Sequence, residues 1–456
     1  VSGLPRFFYT RPDASIPENK KEKEMRRPIV WDGAGELRYE IREIVRVAHR
    51  IADAGLPVVY ENIGDPVQKG EKVPSWIKDI VVSLTQQDAS YCYTDSQGDY
   101  AAREFLAAKV SSRGGAHIDA EDIYFFNGLG DAVARIFGYL KREARVIGPS
   151  PAYSTLSSAE ASHSGYEHLT YRLDPDNNWM PDISDIENKV RYNPSIAGIL
   201  LINPDNPTGA VYPRETITAM IDIAKRYDLF VICDETYANI VYNPDHSVPL
   251  SEVIDGVPGM ALRSISKEYP WPGGRCGWIE VYNQKRDPEF ARYITSILDA
   301  KRLEVCSTTL PQMSIPRVFS DPRYEEHLRS RNAVYEERAR EALEILSAVP
   351  GMKVIKPKGA FYLTAVFDDG LLTNTQSLPI ENAEINAYLD TIIPRVAPDK
   401  RFVYYLLAST GICVVPLSGF CCDLPGFRVT LLESDNSLRK ETWHKIADSV
   451  RRYSGA

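Results

Sequence analysis

Two segments, IAGILLINPDNPTG (residues 196–209) and LFVICDETY (residues 229–237), carry the fold in compressed form. Each starts as an unbroken apolar run with no polar alternation and ends abruptly in polar turn residues. Short runs of this kind read as strands buried on both faces. Between them, ETITAMIDIAKRYDL sets Ile217, Met220, Ile221 and Ala224 at helical spacing. The alternation repeats outward. IYFFNGLG (residues 123–130) reads as a strand, a glycine turn and the start of the helix DAVARIFGYLKREA. ARVIGPSPAY (residues 144–153) and MALRSISKEY (residues 260–269) read as strands with polar exits. Strands alternating with helices predict an α/β fold, a mainly parallel sheet sandwiched by helices. In such sheets ligands collect beyond the carboxyl ends of the strands, which is where these polar clusters fall.

The flanks have another style. Residues 1–35 read as a polar, proline-bearing N-terminal arm whose charged run KKEKEMRR is most simply solvated. ELRYEIREIVRVAHRIADAG (residues 36–55) follows as a helix with Ile41, Ile44, Val45, Ala48 and Ile51 on one stripe and Gly55 as its stop. The last third leads from a long helical pattern into short strands at KVIKPKGAFYLTAVF, ICVVPLSGF and GFRVTLL. It predicts a smaller α+β domain, with residues 367–402 as a lengthened, partly disordered insertion. The expected organisation is an arm at 1–35, a small domain from 36–90 and 325–456, and a large domain at 91–324.

Composition narrows the function. At 456 residues the chain is long enough for two or three packed units. A net charge of −9 argues against a nucleic-acid partner, so a bound anion must be held by local arginines and backbone amides. No eighteen-residue apolar run suggests a membrane helix, and the first residues lack the apolar stretch of a secretory signal. The seven cysteines form no C-x-x-C pair and read as reduced thiols in a cytoplasmic setting. No metal-ligand spacing stands out.

The chemistry centres on SISKEYPWPGGRCGW (residues 264–278). Lysine is commonly a surface residue. Lys267, however, stands among Ser264, Ser266 and Arg275, two hydroxyls and a guanidinium fork suited to phosphate. A desolvated lysine beside cations becomes a nucleophile toward carbonyls. Gly128, at the strand-to-helix turn, would offer helix N-terminal amides to a phosphate, although glycine turns before helices are common. Asn206, between two prolines, presents an amide at the sheet edge. Asp234 ends an apolar strand, where a carboxylate needs either a positive partner or a helix to cap. A protonated pyridine nitrogen is one such partner, with Tyr237 placed to reach a neighbouring phenolate oxygen.

The ordered motifs NGLG, PSPAY, NPDNPTG, DETY, SISK-x7-R-x-G and FRVTLL resemble the fold-type I pyridoxal phosphate enzymes of the class I/II aminotransferase family over residues 55–450. YEIR, ENIGDP, YCYTDSQG, IDAEDIYFFNG and NPDNPTGAVY are most similar to its alanine–glutamate aminotransferase branch. The resemblance implies pyridoxal 5'-phosphate as cofactor, with Lys267 forming its aldimine and later moving the proton. It implies Asp234 on the pyridine nitrogen, Asn206 and Tyr237 on the ring oxygen, and Tyr153 stacked on the ring. The phosphate falls to the Gly128 and Leu129 amides, Ser264 and Arg275, with Tyr93 reaching across from a second subunit of a homodimer. Arg428 would clamp the substrate carboxylate near Gly64, and Arg42 would be either a second anion site for a glutamate side chain or a solvated helix arginine. The implied reaction moves an amino group between an L-amino acid and a 2-oxo acid, such as glutamate/2-oxoglutarate, alanine/pyruvate or an aspartate-like pair. A β-lyase or synthase of the same fold shares these motifs. A cofactor-sensing regulator would need a DNA-binding domain ahead of residue 35. The stretch EYPWPGG, with bulky Trp271, departs from the family pattern.

Overall fold

The computed structural model describes residues 29–37 and 40–455. Eight strands form the central sheet: β1 (Ile123–Phe126), β2 (Arg145–Ser150), β3 (Thr170–Asp174), β4 (Met180–Pro181), β5 (Ile196–Ile202), β6 (Phe230–Asp234), β7 (Gly259–Ser264) and β8 (Gly277–Tyr282). Their order across the sheet is β1-β8-β7-β6-β5-β2-β3-β4. The pairings from β7 through β6, β5 and β2 to β3 are parallel, and the pairings at both edges are antiparallel. The unbroken apolar runs have a direct cause. In β5 the residues from Gly198 to Ile202 are all buried, as are Val231 to Asp234 in β6. Helices cover both faces of the sheet, so neither face alternates. Helix Arg214–Arg226 buries Ile217, Met220, Ile221 and Ala224, the stripe that its spacing predicts, and Ile223 as well.

A second sheet comprises β9 (Met352–Val354), β10 (Tyr362–Phe367), β11 (Val415–Pro416) and β12 (Gly426–Thr430), in the order β9-β10-β12-β11 and antiparallel throughout. Helix Glu40–Asp53 packs there with Ile44, Val47, Ala48 and Ile51 buried, while Val45 is only partly covered. The side chain of Ile41 lies outside the described residues. Gly55, at φ +97°, ends that segment in a conformation glycine adopts without strain. Val59–Tyr60 pairs with Ile412–Cys413 in register and ties the N-terminal segment to this unit.

One expectation is corrected. Residues 367–402 are not a disordered insertion. The irregular stretch gives way to helices Ala383–Ile392 and Pro398–Thr410, whose Ile385, Leu389 and Phe402 are buried in the same core as β10 and β12. At the end of the arm, Asp32–Glu36 is a short 3-10 helix with Gly33 buried, its carbonyl accepting from Ser162 Oγ at 2.7 Å. KKEKEMRR lies outside the described residues. Trp271, in the stretch that departs from the family pattern, is partly buried. It packs against the core containing Ile265 and Tyr269.

Candidate active site

The parallel register brings the predicted residues together. Asp234 ends β6 with Ile202 beside it on one side and Leu262 on the other. The turn carrying Asn206 leaves β5 at Ile202, and the Ser264–Lys267 turn leaves β7 two residues after Leu262. Segments far apart in sequence thus open side by side at one sheet edge, as a parallel sheet requires.

At the start of helix Leu129–Gly138, Gly128 takes φ +84° and its amide donates to Phe126 O at 2.8 Å. Of the two amides assigned to phosphate, Leu129's is therefore the one in the helix's first turn, where N–H groups have no partner within the helix. A β-carbon on Gly128 would fall 2.1 Å from Arg275 Nη2, so glycine here lets the guanidinium approach the turn. Arg275 itself is left-handed at φ +47° and donates through Nη1 to Pro272 O at 3.0 Å. Ser264 Oγ caps the Lys267 turn by accepting from Ser266 N at 3.0 Å.

Lys267 is half-buried and donates to Gly64 O at 2.5 Å. Burial holds its amine down at about 8. Asp65 works against that shift, and Arg428, Arg275 and Arg331 reinforce it. Asp234 is buried and held above the ordinary carboxylate range by desolvation, against hydrogen bonds to its Oδ1 from Thr236 Oγ1 at 2.6 Å and Thr236 N at 3.0 Å.

Arg428 lies on β12, only 1% exposed. Its Nη1 donates to Asn206 Oδ1 at 3.1 Å and its Nη2 to Asn62 O at 2.6 Å. With its oxygen engaged, the Asn206 amide keeps its N–H₂ as donors. The Arg428 guanidinium stacks 4.4 Å from the Tyr362 ring centroid and 5.2 Å from that of Phe420. Tyr237 OH meets Tyr362 OH at 2.8 Å. Tyr153 caps helix Ser154–Ser164 beneath the loop of Phe420: Ala152 N donates to Phe420 O and Ser154 Oγ to Gly419 O.

Three predicted residues are exposed rather than buried in this cluster: Arg275, Tyr93 and Arg42. Tyr93 is 83% exposed, and Arg42 is on the exposed side of helix Glu40–Asp53. The segment holding Tyr93 is nevertheless tied to the site, because Thr309 Oγ1 donates to Cys92 O and Thr308 Oγ1 to Asn127 Oδ1, next to Gly128.

Sequence reasoning missed Tyr362 and Asn62. Tyr362 links Tyr237 to Arg428, and its hydroxyl occupies the space a Gly64 side chain would need, 2.2 Å from an ideal β-carbon. Its GAFY context, entering a buried strand, was the available signal. Asn62 is buried, and neither its Oδ1 nor its Nδ2 has a hydrogen-bond partner among the described residues; the same holds for Arg428 Nε. Among the described residues no cluster of His, Cys, Asp and Glu could hold a metal ion.

Comparison with known proteins agrees with this geometry. The family model for aminotransferase class I and II matches residues 62–453. The chain is 54% identical over 429 residues to a protein of Methanocaldococcus jannaschii named an uncharacterized aminotransferase, covering 94% of this chain and 99% of that one. It is 29% identical over 333 residues to the glutamate-pyruvate aminotransferase AlaA of Escherichia coli strain K12, covering 72% and 80%. The solved alanine aminotransferase from Pyrococcus furiosus superposes with a TM-score of 0.79 at 25% identity, over 92% of this chain and 98% of that one. The chain therefore belongs to the class I and II aminotransferases, enzymes that transfer nitrogenous groups.

Proposed function

We propose that the chain is a pyridoxal phosphate-dependent aminotransferase that exchanges an amino group between an L-amino acid and a 2-oxo acid, with glutamate and pyruvate as the leading pair. The observation that carries the reading is the convergence of Lys267, Asp234 and the Arg428–Asn206 pair at one sheet edge. The site fits the cofactor chemically. Orphaned polar atoms of Asn62 and Arg428 await a hydrogen-bonding guest, and Asp234 is a buried carboxylate that a cationic ring nitrogen would stabilise. Bound pyridoxal phosphate supplies a carbonyl that amines can add to and a ring that accepts electrons from the donor's Cα–H bond.

The chain's residues do the rest. Leu129's amide, Ser264 and Arg275 hold the phosphate, Asp234 the ring nitrogen, and Asn206 and Tyr237 the ring oxygen. Tyr153 covers the ring face. Arg428 grips the α-carboxylate with its fork, Gly64 lying beside it, and this fixes the direction of the Cα–H bond. Lys267 Nζ, kept partly neutral near pH 8, takes the α-proton and returns it. The name of the Escherichia coli relative supports glutamate and pyruvate as substrates. Arg42 remains our candidate for a glutamate side-chain carboxylate.

We further propose a homodimer in which Tyr93 completes the partner's site. Exposed Tyr91, Tyr93 and Leu303 beside the Asn127–Gly128 turn support it. We also propose a small unit of residues 36–90 and 325–456 and a large unit of residues 91–324. Seven cysteines, all thiols, support a cytoplasmic setting.

The test is an absorbance spectrum with single amino acids added. A band near 410–430 nm that moves toward about 330 nm with one donor, releasing a 2-oxo acid and no ammonia, is the expected result. Lys267→Ala should abolish turnover. A spectrum with no band after pyridoxal phosphate is supplied would end the reading.

A further inference from the structure

Helix Ile265–Glu268, which carries Lys267, is a single turn. One turn fixes many backbone angles for few hydrogen bonds and leaves its last carbonyls without partners in the helix. Arg331, on helix Tyr324–Leu346 and 8% exposed, fills that gap. Its Nη1 donates to both Lys267 O and Glu268 O at 2.9 Å. Its remaining N–H groups go to Glu71 Oε1 at 2.5 Å, Glu71 Oε2 at 3.3 Å and Tyr335 OH at 2.9 Å, so the whole fork is engaged. Tyr335 OH closes the triangle by donating to Glu71 Oε2 at 2.6 Å.

Glu71 is not remote from the chemistry. It ends the tight turn in which Asp65 Oδ1 accepts from the amides of Val67 and Gln68, Lys69 N donates to Asp65 O, and Glu71 N donates to Pro66 O. That turn begins at Gly64 and Asp65, and Gly64 O accepts from Lys267 Nζ. The contacts form a closed circuit from the Lys267 amine through Gly64, the 65–71 turn, Glu71 and Arg331 back to the Lys267 carbonyl. Asn62, which accepts from Arg428, lies on the same segment.

We infer that Arg331 is a positioning residue for Lys267, and that its partly buried ion pair with Glu71 couples the lysine turn to the segment that receives the substrate carboxylate. The inference rests on the cofactor reading of Lys267. The charged groups facing the lysine amine are Asp65 on the 65–71 turn, Arg275 after the Pro272–Gly274 turn, Arg331 on its helix and Arg428 on β12. Glu71 neutralises Arg331, so the two partners bias the amine in opposite senses.

The test compares the parent holoenzyme with Glu71→Gln and Arg331→Met by pH titration of the cofactor absorbance and by KM and kcat for the amino donor. Glu71→Gln leaves the Arg331 charge uncompensated and should lower the titration midpoint. Arg331→Met removes the charge and should raise it. Each shift should be about half a pH unit or more. The donor KM should rise about tenfold in Glu71→Gln while kcat changes less, because the carboxylate segment loses its tie to the lysine turn. If Arg331→Met does not fold, Glu71→Gln decides alone. An unshifted midpoint with an unchanged KM in folded Glu71→Gln overturns the inference while the cofactor reading stands. A parent protein without a cofactor band overturns both.

Discussion

Lys267 is the residue whose chemistry and stability pull in opposite directions. Desolvation beside Arg428, Arg275 and Arg331 holds its amine at about 8, which keeps a proton acceptor available near neutral pH. The same environment destabilises the folded apoprotein whenever the amine is charged. The sign follows from linkage. An unfolded lysine titrates near 10.4, so between about 8 and 10.4 the unfolded chain holds a proton that the folded chain has lost. Stability contributed by this group therefore rises with pH through that window and is lowest below it. Lys267→Met removes the titration, so the urea midpoint of the apo variant should exceed the parent's at pH 7. The gap should shrink by pH 9.5. A gap of constant size at the two pH values would mean that the lysine is not held against its charge. Comparing variant with parent at each pH cancels the other titrating groups.

At the scale of elements, the ends of β5 to β7 were legible and the packing behind them was not. Buried strands announce themselves as apolar runs, and each run here delivers its polar residues to the same edge because parallel neighbours share a direction. Asn206, Asp234 and Lys267 could be read for that reason. Asn62 and Glu71 could not, because they reach the site from segments whose local patterns carry no spacing, and Tyr362 offered only its GAFY context. Glu71 and Arg331, for example, meet across 260 residues. The 383–410 helices were hidden by the polar, irregular stretch ahead of them, although Ile385 and Leu389 keep helical spacing. The turn after β5 carries a prediction of its own. Asp205 is fully buried; burial raises its carboxyl to about 7, against the donation it receives from Thr208 N at 3.0 Å and from Thr208 Oγ1. Its Oδ1 has no hydrogen-bond partner among the described residues. Here the sign is opposite to that of Lys267. The folded group holds its proton to a higher pH than the unfolded one, so its contribution is present below about 4 and is lost as pH rises through 7. Asp205→Asn keeps an acceptor for Thr208 and cannot ionise. The apo variant should therefore gain on the parent in urea midpoint between pH 5 and pH 8. Equal midpoints at pH 8 would show that the carboxylate is better accommodated than its burial implies.

The whole molecule poses the question of whether one chain makes one site. Of the groups proposed to touch the cofactor or the substrate α-carboxylate, Arg275 and Tyr93 are exposed; Arg275 lies against the Gly128 turn, whereas Tyr93 is 83% exposed. An exposed tyrosine on a segment anchored through Thr309 and Thr308 to the Gly128 turn is well placed to serve a neighbouring copy and poorly placed to serve its own. In the proposed homodimer, twofold symmetry would make that exchange mutual, each subunit lending its tyrosine to the other. The arrangement predicts complementation between two defective chains. Tyr93→Phe homodimers should bind the cofactor more weakly at both sites, and Lys267→Ala homodimers should be inactive. In a mixed dimer, the site that keeps Lys267 receives its tyrosine from the Lys267→Ala subunit and is whole. Coexpression in equal amounts should therefore return about a quarter of all sites to parental cofactor affinity, a fraction set by random pairing of subunits. Titrating cofactor into the mixture and fitting two classes of site measures that fraction. If the mixture shows only weak sites, Tyr93 serves its own subunit or none, and the shared site falls even if the protein sediments as a dimer.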